Sequence, residues 1–581
     1  MSSRRNKELS IPLWRYLLIV ALLGLLAIFA LGHIAGLQVV SGSDRGFKFL
    51  QDQGDARMVR TETIPAYRGL ITDRRGEPLA VSTPVVSIWA NPQVIETDTD
   101  AFLALTRDLN VDANQLRERI SRYRNKEFMY LARHLMPLDA EKILAHKVPG
   151  VHGQQEYRRF YPAGEVAAQV VGFTNIDDQG QEGVELAYER SLVGQPGAKR
   201  VIKDRRGQVI KEIGLIDSGR PGRDIALSID LRLQYLAYRE LKAAVSKFRA
   251  AAGALVMLDV ETGEVLAMVN QPSYNPNNRV GMDIAGLRNR VITDLVEPGS
   301  TMKPLTVAAA LESGKYTKDS IFDTSPGYIW VSGKTFSDHT NYGVLDMTGV
   351  LRKSSQVATT KMALDLEPSD VRDMFARFGM GEAPGTGFPG ESPGVLPEYR
   401  KWRTMERITM AFGYGMSGTP LQVARAYSVL ANDGVKKPVS LLKLDKAPEG
   451  EQILDPQIAR DIREMMVSVT EPGGTGTRAA IAGYTVAGKT GTSHKVGARG
   501  YEARRYVGLF AGMVPADNPK LVTVVVIDDP QGKDYYGGLV AAPVFSKVSA
   551  DALRLLRVPP DVQPESQMAE TIQVPLRGER S

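Results

Sequence analysis

The chain contains no cysteine in its 581 residues, which excludes disulfide frameworks, thiol nucleophiles and thiolate metal sites together. Histidine is nearly as scarce. Six are present, at positions 33, 134, 146, 152, 339 and 494, with no H-E-x-x-H run or other ligand spacing, so a zinc enzyme is not expected. Charge of one sign is missing too: 72 Lys and Arg against 66 Asp and Glu leave a net charge of +6. No basic run stands out, which argues against a duplex nucleic-acid binder. Hydrophobic residues make up 43% and charged residues 24%, a globular balance that excludes wholesale disorder and a polytopic membrane protein.

Long apolar runs are absent with one exception. Residues 16–32 are apolar to weakly polar throughout, and the run continues raggedly through Ile34 and Leu37 to Val40. That length sits at the short end of a bilayer span, with the extension supplying the rest. A secretory signal has a shorter apolar core and a small-residue cleavage site, so an uncleaved single-pass anchor over residues 1–40 is expected. Arg4, Arg5, Lys7 and Arg15 against Glu8 give a local charge of +3. This bias keeps the short tail in the cytoplasm and places the remainder outside it.

From 41 to 222 the chain is turn-rich and charged, and short strand-like pieces such as 85–90 alternate with helical stretches such as 112–123 and 138–146. Residues 68–80 have the pattern of a hairpin turning at Arg75-Gly76. No catalytic constellation lies in this half, which reads as a mixed pedestal or dimerisation-type domain. After 222 the pattern changes. Apolar strands are predicted at 254–260 and 264–270, around Glu261-Thr262-Gly263, and again at 506–514 and 521–527. Being apolar nearly throughout, they call for helices on both sheet faces. Helical patterns at 301–312, 355–366 and 421–432 lie between the two hairpins, and 544–556 closes the domain. The expected fold class is α+β, a mainly antiparallel sheet sandwiched by helices over 223–558, with a loose tail at 559–581.

Two nucleotide-binding patterns are decoys. Gly483 to Thr490 fits G-x-x-x-x-G-K-[ST], but such a loop must open a helix at its lysine, and here Lys489 leads into Gly-Thr-Ser-His within an apparent strand at 484–492. Gly413 to Gly418 matches G-x-G-x-x-G without a surrounding βαβ unit and reads as a turn.

The chemistry lies elsewhere. Glu297-Pro298-Gly299-Ser300-Thr301-Met302-Lys303 runs into a helix, and the i, i+3 spacing puts Ser300 and Lys303 on one face, within reach of each other. A serine becomes a nucleophile when a base takes its proton, and a lysine becomes that base when its pKa is pulled down. Burial and a second cation both do so. The pattern S-x-x-K alone is weak, since it recurs at Ser440–Lys443. Here it is followed by Lys353-Ser354-Ser355-Gln356 at a predicted helix start and by Lys489-Thr490-Gly491-Thr492 on a predicted strand.

These motifs, with R-G-L-I-T-D-R-R-G-E-P-L-A, Y-R-R-F-Y-P-A-G-E-V-A-A-Q-V-V-G-F, Y-G-M-S-G-T-P-L-Q-V-A-R-A-Y and Y-Y-G-G-L-V-A-A-P-V-F, give a chain that resembles the class B penicillin-binding proteins over nearly its full length. It is most similar to the division-type peptidoglycan D,D-transpeptidases of Gram-negative bacteria. The resemblance implies Ser300 as the acylated nucleophile, Lys303 as its base, Ser354 as proton relay and Lys489 as electrostatic tuner. Thr490 and Thr492, flanking Gly491, would hold the substrate carboxylate, and the Ser300 and Thr492 N–H groups would form the oxyanion hole. The donor peptide would lie along this strand. Tyr506, Tyr535 and Tyr536 are candidate cleft-wall residues, with plain core the alternative. The family's second motif reads S-x-N, whereas here its third residue is Gln356, and Gln169 stands where the family often has histidine.

The implied ligands are stem peptides ending in D-Ala-D-Ala, an acceptor amine and β-lactams. The implied partners are a membrane glycan polymerase and other division proteins, at an inner-membrane septum, with no nucleic acid and no metal or organic cofactor. A D,D-carboxypeptidase, a β-lactamase and a weakly active penicillin-binding scaffold or sensor are the rivals.

Overall fold

The structure is a computed structural model that describes residues 12–38, 48–49, 59–203, 209–497 and 500–562. The expected cytoplasmic tail, and the C-terminal tail beyond residue 562, lie outside the described residues. Leu13–Gln38 forms one helix with none of its residues buried. At 26 residues it extends about 39 Å, more than a hydrocarbon core requires, which fits a membrane anchor.

Two compact units form, and they do not follow chain order. The first gathers residues up to 67 together with 84–157 and 194–221. In it Val59–Ile64, Gly197–Lys203 and Val209–Asp217 make a three-stranded antiparallel sheet. A separate core of Ile88, Phe102, Leu105, Leu116, Ile120 and Ile143 joins one strand to three helices, Asp100–Asp108, Ala113–Arg122 and Pro137–Ala145. Thr99 and Asp112 cap the first two of these helices by accepting from their first-turn N–H groups.

The second unit takes residues 68–83, 158–193 and everything after 221. The two sequence blocks beginning near Arg68 and Tyr157 meet there. Glu185, fully buried, accepts from Arg68 Nε at 2.5 Å and Arg159 Nε at 2.6 Å. Buried charges persist only when paired in this way. Asp73 closes the expected hairpin by accepting from the N–H groups of Arg75 and Glu77 at 2.7 and 2.8 Å. Gln169 has a structural task, donating to the carbonyls of Pro272 and Gly286.

A five-stranded sheet dominates this unit, built from β1 (Ala252–Asp259), β2 (Val265–Gln271), β3 (Ala487–Gly497), β4 (Gly500–Val514) and β5 (Leu521–Asp528) in the order β2-β1-β5-β4-β3, with every neighbouring pair antiparallel. Alternate residues feed different cores, which is why the strands read as continuously apolar. Leu255, Met257, Val525 and Ile527 join Phe510 against helices α1 (Leu231–Lys247) and α6 (Ala542–Leu555). Ala254, Val256, Leu258, Val522, Val524 and Val526 face the opposite core. That core contains α2 (Lys303–Glu312), α3 (Met347–Lys353), α4 (Gln356–Asp365) and α5 (Pro420–Ala431). Each such side chain contributes about 1.5–3 kcal/mol on burial. The expected sandwich is therefore present, and β3 is its edge strand.

The predicted strand at 484–492 begins later, at Ala487, because Ile481 and Tyr484 close a turn first. Lys489 lies within this strand and opens no helix.

Candidate active site

The serine of the first motif enters through a tight turn. Gly299–Met302 is a 3₁₀ segment and α2 starts at Lys303. In 3₁₀ geometry residues i and i+3 eclipse, so Ser300 and Lys303 stand one above the other. Ser300 is half-buried on the wall of a cavity of about 550 Å³.

Lys303 is 1% exposed. Its amine donates to the Ser354 carbonyl at 2.5 Å, to Ser354 Oγ at 3.3 Å and to the Ser355 carbonyl at 3.2 Å. Among the described residues no hydrogen bond joins Lys303 to Ser300, so the expected amine–hydroxyl contact is open in this ligand-free state. Such catalytic contacts commonly tighten only once substrate is bound. Burial pulls the Lys303 pKa down to about 7, with the distant charge of Asp338 opposing.

Lys489 approaches from β3, also fully buried, and donates to Ser354 Oγ at 2.9 Å and to the Thr490 carbonyl at 3.2 Å. Burial, and then the positive charge of Lys303, hold its pKa well below the usual lysine range. One hydroxyl is thus within reach of two amines, and neither amine is held in its charged form. A proton can pass between them through Ser354.

Ser354 does not begin a helix as the sequence suggested. It ends α3 in the left-handed conformation, with φ 56° and ψ 40°, and Ser355 caps α4 by accepting from Ala358 N–H. The left-handed backbone turns the Ser354 hydroxyl and carbonyl together toward Lys303. A non-glycine residue in that region costs on the order of 1–3 kcal/mol and persists where the surroundings enforce it. Asp338, which carries no motif signal, does part of the enforcing: it accepts from Ser355 Oγ at 2.7 Å and from Gln356 N–H at 2.5 Å.

Gln356 lines the cavity, as do Thr490 and Thr492. Thr490 Oγ1 pairs with Thr475 Oγ1 at 2.9 Å, and Thr492 Oγ1 accepts from Gly537 N–H at 3.0 Å. Gly491 is where β3 touches the nucleophile turn, since a Cβ there would come within 2.8 Å of the Pro298 carbonyl. Tyr506, Tyr535 and Tyr536 also line the cavity and stack, with ring centroids 4.0 Å apart for the first pair and 4.4 Å for the second. His494 lies 4.7 Å from Tyr506 and His339 lies 5.9 Å from Tyr536. The structure thus brings the sequence-derived residues to one cavity, with Lys303 and Lys489 buried behind its wall. The second S-x-x-K pattern is not among its lining residues; Ser440 Oγ donates to the Leu442 carbonyl instead.

Tyr414 was missed by sequence reasoning. It lies in the Gly413–Gly415 turn, where Gly413 has φ 77° and a Cβ would sit 2.4 Å from the Gly299 carbonyl. Its hydroxyl donates to the Thr492 carbonyl at 2.9 Å, and burial pushes its pKa up to about 12. The glycine pair, set aside as a turn, was the available signal.

Among the described residues no group of His, Asp or Glu is arranged to hold a metal.

The penicillin binding protein transpeptidase domain family matches residues 253–550, and the penicillin-binding protein dimerisation domain family matches residues 63–227. The chain belongs to the class B penicillin-binding proteins, which are serine-type peptidoglycan D,D-transpeptidases. Peptidoglycan D,D-transpeptidase FtsI of Escherichia coli is 44% identical over 563 residues, covering 96% of this chain and 94% of that one. Probable peptidoglycan D,D-transpeptidase PbpC of Pseudomonas aeruginosa is 44% identical over 561 residues, covering 97% of each. Among solved structures, the transpeptidase domain of Burkholderia pseudomallei penicillin-binding protein 3 is 42% identical, with a TM-score of 0.54, covering 58% of this chain and 98% of that one. A peptidoglycan synthetase from Bifidobacterium adolescentis is 26% identical, with a TM-score of 0.69, covering 87% and 98%.

Proposed function

We propose that this chain cross-links peptidoglycan stem peptides through an acyl-enzyme at Ser300. The observation that carries the reading is the convergence of the Lys303 and Lys489 amines on Ser354, beside Ser300 and opposite Thr490 and Thr492 in one cavity. Ser300 Oγ attacks the carbonyl carbon of the penultimate D-alanine while Lys303 takes its proton. The developing oxyanion is held by the Ser300 and Thr492 N–H groups; one lost donor of this kind costs about 2.7–4 kcal/mol in other enzymes. Collapse breaks the peptide bond, and the departing D-alanine amine takes a proton through Ser354. An amine on a neighbouring stem peptide then attacks the ester and returns the proton to Ser300. The donor strand adds to the edge of β3, with Thr490 and Thr492 on its carboxylate and the tyrosine stack as the cleft wall. β-Lactams enter the same sequence and stop at the ester.

The pH dependence follows from the amines. With Lys303 at about 7, its neutral, proton-accepting form grows as the pH rises. Acylation by benzylpenicillin should climb through a midpoint near pH 7 and level off above it. A rate that falls as pH rises from 6 to 8 would rule out Lys303 as base.

Gln356 keeps the amide of the family's asparagine but carries it one methylene further. Gln356→Asn should speed penicillin acylation by about 1–3 kcal/mol, roughly 5- to 150-fold. An unchanged acylation rate would show the extra methylene to be silent.

The exposed apolar helix and the FtsI relatives support a single-pass inner-membrane protein with a cytoplasmic N-terminus, a periplasmic catalytic domain and a place at the division septum beside a glycan polymerase. Fluorescent penicillin labelling, followed by product analysis with a lipid-linked substrate, tests the activity. Cross-linked dimer supports transfer, trimmed peptide alone indicates a carboxypeptidase, and absence of labelling indicates a scaffold.

A further inference from the structure

We propose that Glu297 is a positioning residue that locks the Ser300 turn against the Thr492 N–H, fixing the distance between nucleophile and oxyanion hole. The inference rests on the reading of Ser300 as nucleophile. Glu297 lies three residues before Ser300, and every polar group it offers is used to tie separate segments together. Its carboxylate accepts from Gly415 N–H at 2.9 Å and from the Tyr501 hydroxyl, 3.0 Å from each oxygen. Its carbonyl accepts from Ser493 Oγ at 2.9 Å.

These bonds close a ring. Gly415 belongs to the same turn as Tyr414, whose hydroxyl holds the Thr492 carbonyl, and the Gly299 N–H donates to the Gly413 carbonyl at 3.1 Å. Ser493 and Tyr501 come from β3 and β4, the hairpin that carries Thr492. The nucleophile turn, the glycine turn and the edge strand are therefore each bonded to the other two, and Glu297 takes part in two of those three links. Burial raises the Glu297 pKa, while its bonds to Gly415 and Tyr501 and the nearby His494 favour the ionised form.

A carboxylate meets this task because it accepts several hydrogen bonds at once, and those to a charged group are the stronger ones. Without it, Gly415 N–H and the Tyr501 hydroxyl lose their acceptor and the turn loses its anchor. A misplacement of about 1 Å in such geometry costs about 10²-fold in rate.

The test is rapid-mixing acylation of the full-length protein by benzylpenicillin, read as a rate constant and as labelling at saturation. Glu297→Ala should lower the rate constant about 10²-fold, with full labelling at the end point and an unmoved pH midpoint. Glu297→Gln, which keeps the acceptor oxygen, should recover most of the loss. Tyr501→Phe should cost about tenfold, and it carries the test if the alanine variant fails to fold. A wild-type rate in Glu297→Ala, or reduced labelling at an unchanged rate constant, overturns the proposal. Absence of labelling in the wild type overturns the transpeptidase reading instead.

Discussion

Ser300→Ala should abolish covalent labelling by penicillins, lowering acylation by at least about 10⁴-fold, the scale seen when a nucleophile is removed from other serine enzymes. No substitute is in place. Ser354 Oγ is occupied by Lys489 at 2.9 Å and is also within hydrogen-bond range of Lys303, in a left-handed junction that holds it there. Thr490 and Thr492 are hydrogen-bonded to Thr475 and to Gly537 N–H. Because alanine removes one exposed hydroxyl from a cavity wall, the unfolding midpoint should stay near wild type. Non-covalent penicillin binding should survive, since the carboxylate site on β3 is untouched. Mass spectrometry after incubation with benzylpenicillin reads the first quantity and calorimetry the second. A penicilloyl adduct on the variant would point to a different nucleophile.

Lys303→Met is the second large effect. Methionine fills a similar volume without the amine, so acylation should fall by about 10²–10⁴-fold, the usual contribution of a general base. The rise near pH 7 should vanish with it. Loss of the Lys303 charge also relieves the second cause that depresses Lys489, which should move upward. The carbonyls of Ser354 and Ser355 each lose a donor, so some destabilisation is expected, of the order of 1–3 kcal/mol for a buried polar group left unpaired. Rates should therefore be normalised to folded protein. A variant that keeps the wild-type rate and pH profile would transfer the role of base to Lys489.

Much of this was legible in the sequence because the signals were short-range. The five strands declared themselves by apolar runs whose alternate residues fill two cores, as Leu255 and Val256 do. The three motifs were recognisable by type and spacing. What stayed hidden depends on contacts between distant residues. Nothing near Arg68 or Arg159 announces that both will meet Glu185 and so bring residues 68–83 and 158–193 into the catalytic unit. Asp338 steadies the Ser354 junction from a loop with no motif. The junction itself looked like a helix start because Ser355 is a good N-cap, and only the backbone of its neighbour shows that another helix ends there.

That neighbour narrows what selection can accept at position 354. A left-handed backbone favours glycine, asparagine and aspartate and penalises branched side chains such as threonine, whereas two converging amines call for a small hydroxyl. Serine is the one residue that answers both demands, so escape from antibiotics by point changes should pass around this position rather than through it.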